Sequence, residues 1–466
     1  MAARAFEARA AALLALVALA WDGTARAHAP PMGTGLWWVP PAGKVAEHDR
    51  MVIRTPRGFL FESSATSDFR FLCNEALGIL DNEEASFSDA GEAADNVLLV
   101  ANWTRGLLRG SADGCNWAPV GADVTAPIFD IAVATTPSGP RTYAVGGAAH
   151  EGEHFWVAQD AGTGWSALAN SDVPYTRVRV APSHPSRVYL SGIGLNETGT
   201  FVHRLGVSDD AGQTIVDRPI ALGPHDLQAR LLGVDPLRFD HLFVWAESNT
   251  AEVPETLLTS QDGGKSFAAA ATRLELRGFA QSEDGSRVWI GGKEGILRSV
   301  DGGQSFSAVS NNAMTGITCL AFHQNQLYAC GVLDNRLVVA VSDDGGDDFH
   351  EILSFDRVKA TVDCPNLDPA SAPAAVCAAS LGHWRSELGT LDAPSSNGTG
   401  GSSGAIPDAG TDMPTARADT AGCCIGGVRG RLAEQTSAAA ILLALALGRP
   451  RRSLLRHRSS ATGHGS

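Results

Sequence analysis

Serine, aspartate and glycine recur in this chain at a fixed local spacing, Ser-x-Asp-x-Gly-x-Ser/Thr-aromatic. Two copies are complete, at residues 260–267 and 299–306. Carboxylates repeated in this way could act as an acid–base pair, hold a cation such as Ca²⁺, or cap backbone turns. Turn capping suits the spacing best, because Asp and Ser side chains hydrogen-bond within a turn and Gly adopts its left-handed conformation.

The pattern continues in weaker copies along the chain. Its aspartates are Asp68, Asp113, Asp160, Asp210, Asp262, Asp301 and Asp344, separated by 45, 47, 50, 52, 39 and 43 residues. A period of about 40 to 50 residues matches one four-stranded blade of a propeller. We therefore expect these seven aspartates to be structural, each one in the turn of a different blade.

Short strands of alternating polarity precede several copies of the motif. The clearest pairs are 128–133 with 141–147, 177–181 with 187–192, and 317–322 with 326–331. They predict an all-β fold, a seven-bladed β-propeller of four-stranded antiparallel blades over residues 28–388. Residues 33–62 precede the first aspartate and 359–391 follow the last, so we expect strands from both ends to share one blade.

The motif resembles the Asp box, also called the BNR repeat, and the resemblance covers almost the whole central region. It implies a propeller of the sialidase and sortilin-like superfamily, in which the boxes lie at outer turns and stabilise the blades. A similar propeller occurs in photosystem assembly factors. Since one fold hosts many functions, the resemblance implies the architecture and leaves the ligand open.

Sialidases bind the substrate carboxylate with three arginines and use a tyrosine nucleophile activated by Glu, with an Asp as the acid and base. Arg54 lies in Val-Ile-Arg-Thr-Pro, which is similar to the sialidase Arg-Ile-Pro segment except that Thr replaces Ile. Tyr143, Tyr189 and Tyr328 occupy the repeated second-strand position, which indicates core residues. A glycosidase with paired carboxylates stays open as an alternative, because acidic residues such as those at 81–84 are frequent.

Metal ligands are less evident than turn residues. Asp343, Asp344, Asp347 and Asp348 could hold a structural Ca²⁺ with their clustered oxygens. They coincide with the seventh copy of the motif, and this position favours turn capping. We therefore expect no cofactor, with a structural Ca²⁺ as the weaker alternative.

The N-terminus has the order of an export signal. Two arginines precede the apolar run 10–21, which is too short to span a bilayer, and Ala25-Arg-Ala27 supplies the small residues of a cleavage site. We predict a signal peptide over residues 1–27 and a mature start at His28, with an ordinary buried helix as the alternative. The protein is then expected at the cell surface, in the outer membrane or outside the cell.

The C-terminal part of the chain differs from the centre. Residues 389–420 are rich in Ser, Gly, Pro, Asp and Thr, and predict a disordered linker. Residues 421–466 combine Cys423 and Cys424, a short hydrophobic helix and an arginine cluster, an order that resembles the MYXO-CTERM sorting signal of myxobacterial surface proteins. The resemblance implies attachment at the cysteines and membrane contact only through this segment. A frayed helix with a basic end is the alternative.

Six further cysteines fall within the predicted propeller and are expected to pair in an oxidising compartment. Two pairs are each predicted to bridge adjacent strands of one blade, and the remaining two cysteines then join the first two blades by default. The predicted disulfides are Cys319–Cys330, Cys364–Cys377 and Cys73–Cys115.

The formal net charge is −15, and the central region is more acidic still because both ends carry net positive charge. Nucleic acid is excluded as a partner, since phosphate binding needs a basic footprint. Trp37, Trp38 and Trp103 could stack on a ligand, although filling gaps between blades is their commoner role. We predict a monomeric, surface-tethered binding or scaffold module for an extracellular protein or glycan. The alternative is a glycoside hydrolase acting on an extracellular polysaccharide.

Overall fold

The computed structural model of the 466-residue chain describes residues 32–391 apart from short internal segments. Those segments are 40–48, 64–67, 80–85, 90–96, 103, 121–123, 125–126, 148–154, 160–161, 169–172, 196–199, 249, 251 and 310–313. The predictions for the signal peptide, for residues 392–420 of the linker and for the sorting segment 421–466 lie outside the described residues, as do Asp160, Cys423 and Cys424.

Seven antiparallel sheets follow one another along the chain, each built from four consecutive strands. Blades 1 to 4 comprise β1 (Gly35–Val39), β2 (Arg50–Thr55), β3 (Gly58–Glu62) and β4 (Phe69–Cys73); β5 (Ser86–Asp89), β6 (Val97–Asn102), β7 (Gly106–Ser111) and β8 (Trp117–Pro119); β9 (Ile128–Thr136), β10 (Gly139–Gly146), β11 (Phe155–Ala158) and β12 (Ser166–Ala167); and β13 (Tyr175–Val180), β14 (Val188–Leu195), β15 (Phe201–Ser208) and β16 (Val216–Ile220).

Blades 5 to 7 comprise β17 (Asp226–Val234), β18 (Leu242–Ser248), β19 (Glu255–Ser260) and β20 (Ala268–Arg273); β21 (Gly278–Gln281), β22 (Val288–Gly292), β23 (Gly295–Ser299) and β24 (Ser307–Ala308); and β25 (Thr315–His323), β26 (Gln326–Leu333), β27 (Arg336–Ser342) and β28 (His350–Ser354). The remaining elements are β29 (Ala360–Thr361), the helices α1 (Pro373–Val376) and α2 (Ala378–Leu391), and the 3-10 turns Asn74–Leu77 and Phe355–Arg357.

Burial along each blade explains the sequence pattern. The second strands β6 and β18 are buried at every residue, because a blade is covered on both faces by its neighbours. Most fourth strands are largely exposed, as in β12 and β24, whereas β4 is mostly buried. Apolar residues therefore run continuously in the middle of a blade and disappear at its outer edge.

The first strands of most neighbouring blades contact one another, including β1 with both β5 and β25. Hydrophobic clusters lie between the blades; in one of them Leu205 and Val207 of blade 4 pack with Leu231 and Val244 of blade 5. The predicted seven-bladed, four-stranded β-propeller is thus confirmed.

The C-terminal end of the ring returns to blade 1. Strand β29 pairs in parallel with β4, with Ala360 opposite Arg70, and adds a fifth strand at the outer edge of the sheet. The expectation that both chain ends share one blade is met by this strand alone. The rest of the segment is irregular or helical, and α2 packs on blade 1 through Trp384, whose ring lies 4.9 Å from that of Phe71.

Three disulfides join the six cysteines within residues 32–391. Cys319–Cys330 joins β25 to β26 as predicted from the spacing. The predicted pairs Cys364–Cys377 and Cys73–Cys115 are wrong, because the bonds are Cys73–Cys377 and Cys115–Cys364.

The physical reason is the course of the chain after blade 7. Residues 360–391, which we call the strap, do not form another blade in which Cys364 and Cys377 could be cross-strand neighbours. They run back over blades 1 and 2 instead. Cys377, next to α2, meets Cys73 at the end of β4, and Cys364 meets Cys115 in the turn between β7 and β8.

Candidate functional site

The repeated aspartates that the structure describes lie between the third and fourth strands of their blades. Asp262 shows the arrangement: its Oδ1 accepts from the Ser260 hydroxyl at 2.8 Å and from Ser266 N–H at 3.0 Å, and its Oδ2 accepts from the Ser266 hydroxyl at 2.6 Å. Gly264, at φ +83°, packs on Leu205 of the preceding blade, and a Cβ there would lie 2.0 Å from its Cδ2. The motif therefore needs both its acceptor and its glycine.

Equivalent carboxylates in other blades have the same environment. The hydroxyl of Ser266 lowers the pKa of Asp262, the Ser305 hydroxyl lowers that of Asp301, the Thr214 N–H lowers that of Asp210, and the Ser342 hydroxyl lowers that of Asp344. Asp113 accepts from Cys115 N–H at 2.9 Å. Asp68 is exposed, and its carbonyl accepts from Ser63 N–H.

The acidic run in the seventh turn is divided among different partners. Asp347 pairs with Arg298 at 2.9 Å, Asp343 accepts from Gln326 at 2.6 Å, and Asp344 caps its own turn. Within the described part of the chain, no group of three or more His, Cys, Asp or Glu side chains is placed to hold a metal ion.

The two tyrosines of blade 4 have structural roles. Tyr189 donates to the carbonyl of Phe239 in the next blade at 2.7 Å. Tyr175 is fully buried and donates to Asp217 at 2.6 Å, across the face of its own blade. The Tyr175 side chain lies against Gly206, where a Cβ would be 2.5 Å from the Tyr175 hydroxyl oxygen. These tyrosines therefore hold strands and blades together.

Arg54 also has a local role. Its Nε donates to the Thr34 hydroxyl at 2.9 Å and its Nη2 to the Thr34 carbonyl at 3.0 Å, which fixes the start of β1. Trp38 fills the gap between blades 1 and 7, stacked on His323 at 4.4 Å and edge-on to Tyr328 at 4.8 Å. Trp103 lies outside the described residues.

Charged side chains that sequence reasoning missed lie on the first strands, around the axis of the ring. Asp130 on β9 is 4% exposed and accepts from Val178 N–H at 3.0 Å and from Arg179 Nη1 at 2.6 Å. Arg179 also donates through Nε to the carbonyl of Leu232 at 3.0 Å. One arginine thus joins blades 3, 4 and 5 at the axis.

Blade 5 carries a second charged group beside its first strand. Arg230 on β17 pairs with Glu247 on β18 at 3.1 Å, and Gln228 also donates to Glu247. The indole of Trp245 lies 5.3 Å from the Arg230 guanidinium and 5.7 Å from that of Arg277. We call Asp130, Arg179, Gln228, Arg230, Trp245, Glu247 and Arg277 the axial cluster.

The chemistry of the axial cluster follows from these pairings. Asp130 and Glu247 each accept hydrogen bonds from an arginine and from a second donor, and nearby Glu255 accepts from Leu276 N–H at 2.6 Å. General acid catalysis needs a carboxyl group that can give its proton to substrate. Guanidinium groups suit recognition of polar or anionic ligands instead, whereas Trp245 is 5% exposed and packs in the core. A sequence signal existed, since Asp130 and the Arg177-Val-Arg179 repeat interrupt apolar strands.

No protein-family model and no curated protein matches the chain. Solved structures with a similar arrangement include a nidogen/laminin complex, at 13% identity and a TM-score of 0.37 over 55% of this chain and 92% of that one. Hydrazine synthase from Kuenenia stuttgartiensis matches at 12% identity and a TM-score of 0.47, over 68% of this chain and 97% of that one. The GH74 enzyme of Niastella koreensis matches at 12% identity and a TM-score of 0.24, over 72% of this chain and 74% of that one.

No described helix is long and apolar enough to cross a membrane.

Proposed function

We propose that this propeller is an exported, surface-tethered binding or scaffold module that recognises an extracellular carbohydrate or protein, without catalysis of its own. The observation that carries the proposal is the state of the buried carboxylates beside the axis. Asp130 accepts from Val178 N–H of the next blade, and Glu247 accepts from Arg230 on the neighbouring strand of its own blade, so the oxygens of both carboxylates are engaged in joining strands.

The rest of the axial cluster supports recognition. Arg179 is 33% exposed although it is paired with Asp130. The side chain of Arg230 is 13% exposed and lies beside the buried Trp245. Loops around the axis of a rigid scaffold are a common place for ligand contacts. Turns of the Asp-box type lie at the outer ends of the blades and are expected to stabilise the scaffold.

Export and tethering are supported by different features. Three disulfides suit an oxidising compartment, in agreement with the predicted signal peptide 1–27. The linker 389–420 and the segment resembling a MYXO-CTERM signal are the parts of the chain that would hold the propeller at a surface. Removal of 421–466 should then release the protein into the medium, whereas retention would contradict the anchor.

The binding proposal is tested with the mature, oxidised chain on arrays of polysaccharides and of surface proteins. We expect saturable binding to at least one class and no release of reducing ends from any bound polysaccharide. A variant with Arg230→Gln and Glu247→Gln keeps a neutral pair of similar size and should lose at least tenfold in affinity for a ligand at the axial cluster. Release of reducing ends that requires Asp130 or Glu247 would favour the alternative, a glycoside hydrolase.

A further inference from the structure

A groove of about 830 Å³ lies at the periphery of the ring, between blades 2 and 3. Its walls come from β7 and β8 of blade 2, from the turn at residues 162–165 of blade 3 and from the strap near Leu367 and Ser371. It is remote from the axial cluster, because it opens beside the third and fourth strands of a blade. The proposed axial site therefore does not account for it.

At other blade interfaces an arginine reaches the aspartate turn of the next blade. Arg298 of blade 6 reaches across to the aspartate turn of blade 7 and donates to the Gly345 carbonyl at 3.1 Å. Arg218 of blade 4 donates in the same way to the Gly263 carbonyl of blade 5. Arg109 lies on the third strand of blade 2 and lines the groove together with the turn of blade 3. Its Nε is buried, and among the described residues it has no hydrogen-bond partner.

The charge of the lining is unusual for this chain, which contains 51 Asp and Glu residues. Arg109 is the one charged side chain among the described residues that line the groove, and no carboxylate lies among them. Charges in solution are screened over about 8 Å at physiological ionic strength. Asp113 is the adjacent carboxylate, and it accepts from the N–H of the lining residue Cys115 at 2.9 Å. The charged group that a ligand inside the groove meets directly is Arg109.

Two indoles form fixed walls. Trp117 donates its Nε1–H to the Gly114 carbonyl at 2.8 Å, and Trp165 donates to the Gly162 carbonyl at 3.0 Å. Because both N–H groups are used inside their turns, each ring has a fixed orientation and offers no donor. Trp117 is half-buried, and Trp165 is 9% exposed. Trp117 also lies against Gly110, where a Cβ would come within 2.5 Å of its ring.

We propose that this groove binds an acidic saccharide, with a uronate carboxylate on Arg109 and the sugar rings against Trp117 and Trp165. A guanidinium matches a carboxylate in charge and shape, and the flat apolar faces of pyranose rings pack on indoles. Polar groups of Asn116 and Ser371 at the same groove can meet sugar hydroxyls. The ligand needs both features at once, a carboxylate and a ring with an apolar face.

Gly164 allows a matched test of this site. It lines the groove at φ +61°, a conformation that Asp and Asn tolerate, and no atom lies within 4 Å of a Cβ built there. Gly164→Asp adds a carboxylate beside the groove, and Gly164→Asn adds an uncharged side chain of the same shape. Calorimetric titration of the mature, oxidised chain with tetragalacturonate measures both, with the carboxyl-reduced tetrasaccharide as the ligand control.

We expect tetragalacturonate to bind at least tenfold more tightly than its carboxyl-reduced form. Gly164→Asp and Arg109→Gln should each weaken its binding at least tenfold, while Gly164→Asn and Arg298→Gln leave it within twofold of the unmodified chain. Absence of binding, equal binding of the two saccharides, or equal effects of Gly164→Asp and Gly164→Asn would overturn the proposal. In each of those cases, ligand binding on the arrays that is weakened by Arg230→Gln with Glu247→Gln would still support the proposed function. The two tests therefore distinguish failure of the groove proposal from failure of the proposed function.

Discussion

The strap disulfides set the stability of the ring, and their contribution can be worked out from chain lengths. Cys115–Cys364 and Cys73–Cys377 join residues 249 and 304 positions apart. With one of them intact, the other closes only the loop made of residues 73–115 and 364–377, about 55 residues, and stabilises by about 4 kcal/mol in the loop-entropy relation. Without its partner, either bond closes a loop of more than 240 residues and contributes about 5.5 kcal/mol.

The perturbation is therefore a set of paired Cys→Ala variants of the oxidised mature chain. Removal of Cys73–Cys377 alone should lower the free energy of unfolding by about 4 kcal/mol, and removal of both strap disulfides by roughly 9 to 10 kcal/mol. The double loss exceeds the sum of the single losses by about 1 kcal/mol, because the last remaining bond closes the longest loop. Cys319–Cys330, which spans 11 positions, provides the control, and its removal should lower the free energy of unfolding by about 3 kcal/mol.

Urea titration followed by tryptophan fluorescence and by far-ultraviolet circular dichroism measures these differences, and coincidence of the two signals checks that unfolding is cooperative. The reasoning is refuted if removal of both strap disulfides costs no more than removal of Cys319–Cys330. A strictly additive result for the two strap bonds would also contradict the shared-loop argument.

Acidification should weaken the aspartate turns: the pKa of Asp262 and of Asp301 is lowered by turn hydrogen bonds, so their stabilisation is complete above about pH 4 and is lost as pH falls further. A variant with Asp262→Asn and Asp301→Asn should have a lower free energy of unfolding than the unmodified chain at pH 7, and this free energy should fall less between pH 5 and 2.5 in urea titrations. The same pH dependence for both proteins would contradict this. Tyr175→Phe removes the bond to Asp217 and should cost about 1 to 2 kcal/mol, more than Tyr328→Phe, whose partner Gln326 is uncharged. Gly206→Ala forces a Cβ against Tyr175 and should cost about 1 to 3 kcal/mol by the same measurement, whereas Gly382→Ala in α2, with nothing within 4 Å, should stabilise by about 0.5 to 1 kcal/mol.

The blade architecture could be predicted from the sequence because its signals are local. Asp262, Gly264 and Ser266 act within one turn, and strands such as β18 are continuous in sequence. The turn spacing therefore gave the number of blades, and the Cys319–Cys330 disulfide followed from a single hairpin.

The strap and the axial cluster depend on distances that the sequence does not contain. Cys377 meets Cys73 only because the chain crosses back over blade 1 after the ring is complete. Asp130 and Arg179 are 49 positions apart and meet because first strands are neighbours at the axis. The groove beside Arg109 depends on a gap between two blades, which no local pattern reports.

The strap also determines how the ring bears mechanical force. A pull on the chain beyond residue 391 passes through α2 to Cys377 and from there across a covalent bond to Cys73 in β4. A parallel branch runs through Cys364 to Cys115 in blade 2. Tension is therefore delivered to β4 of blade 1 and to the turn between β7 and β8 of blade 2, and the hydrogen bonds between β27 and β28 carry none of it. While both bonds last, a load on this end cannot peel blade 7 from the ring strand by strand.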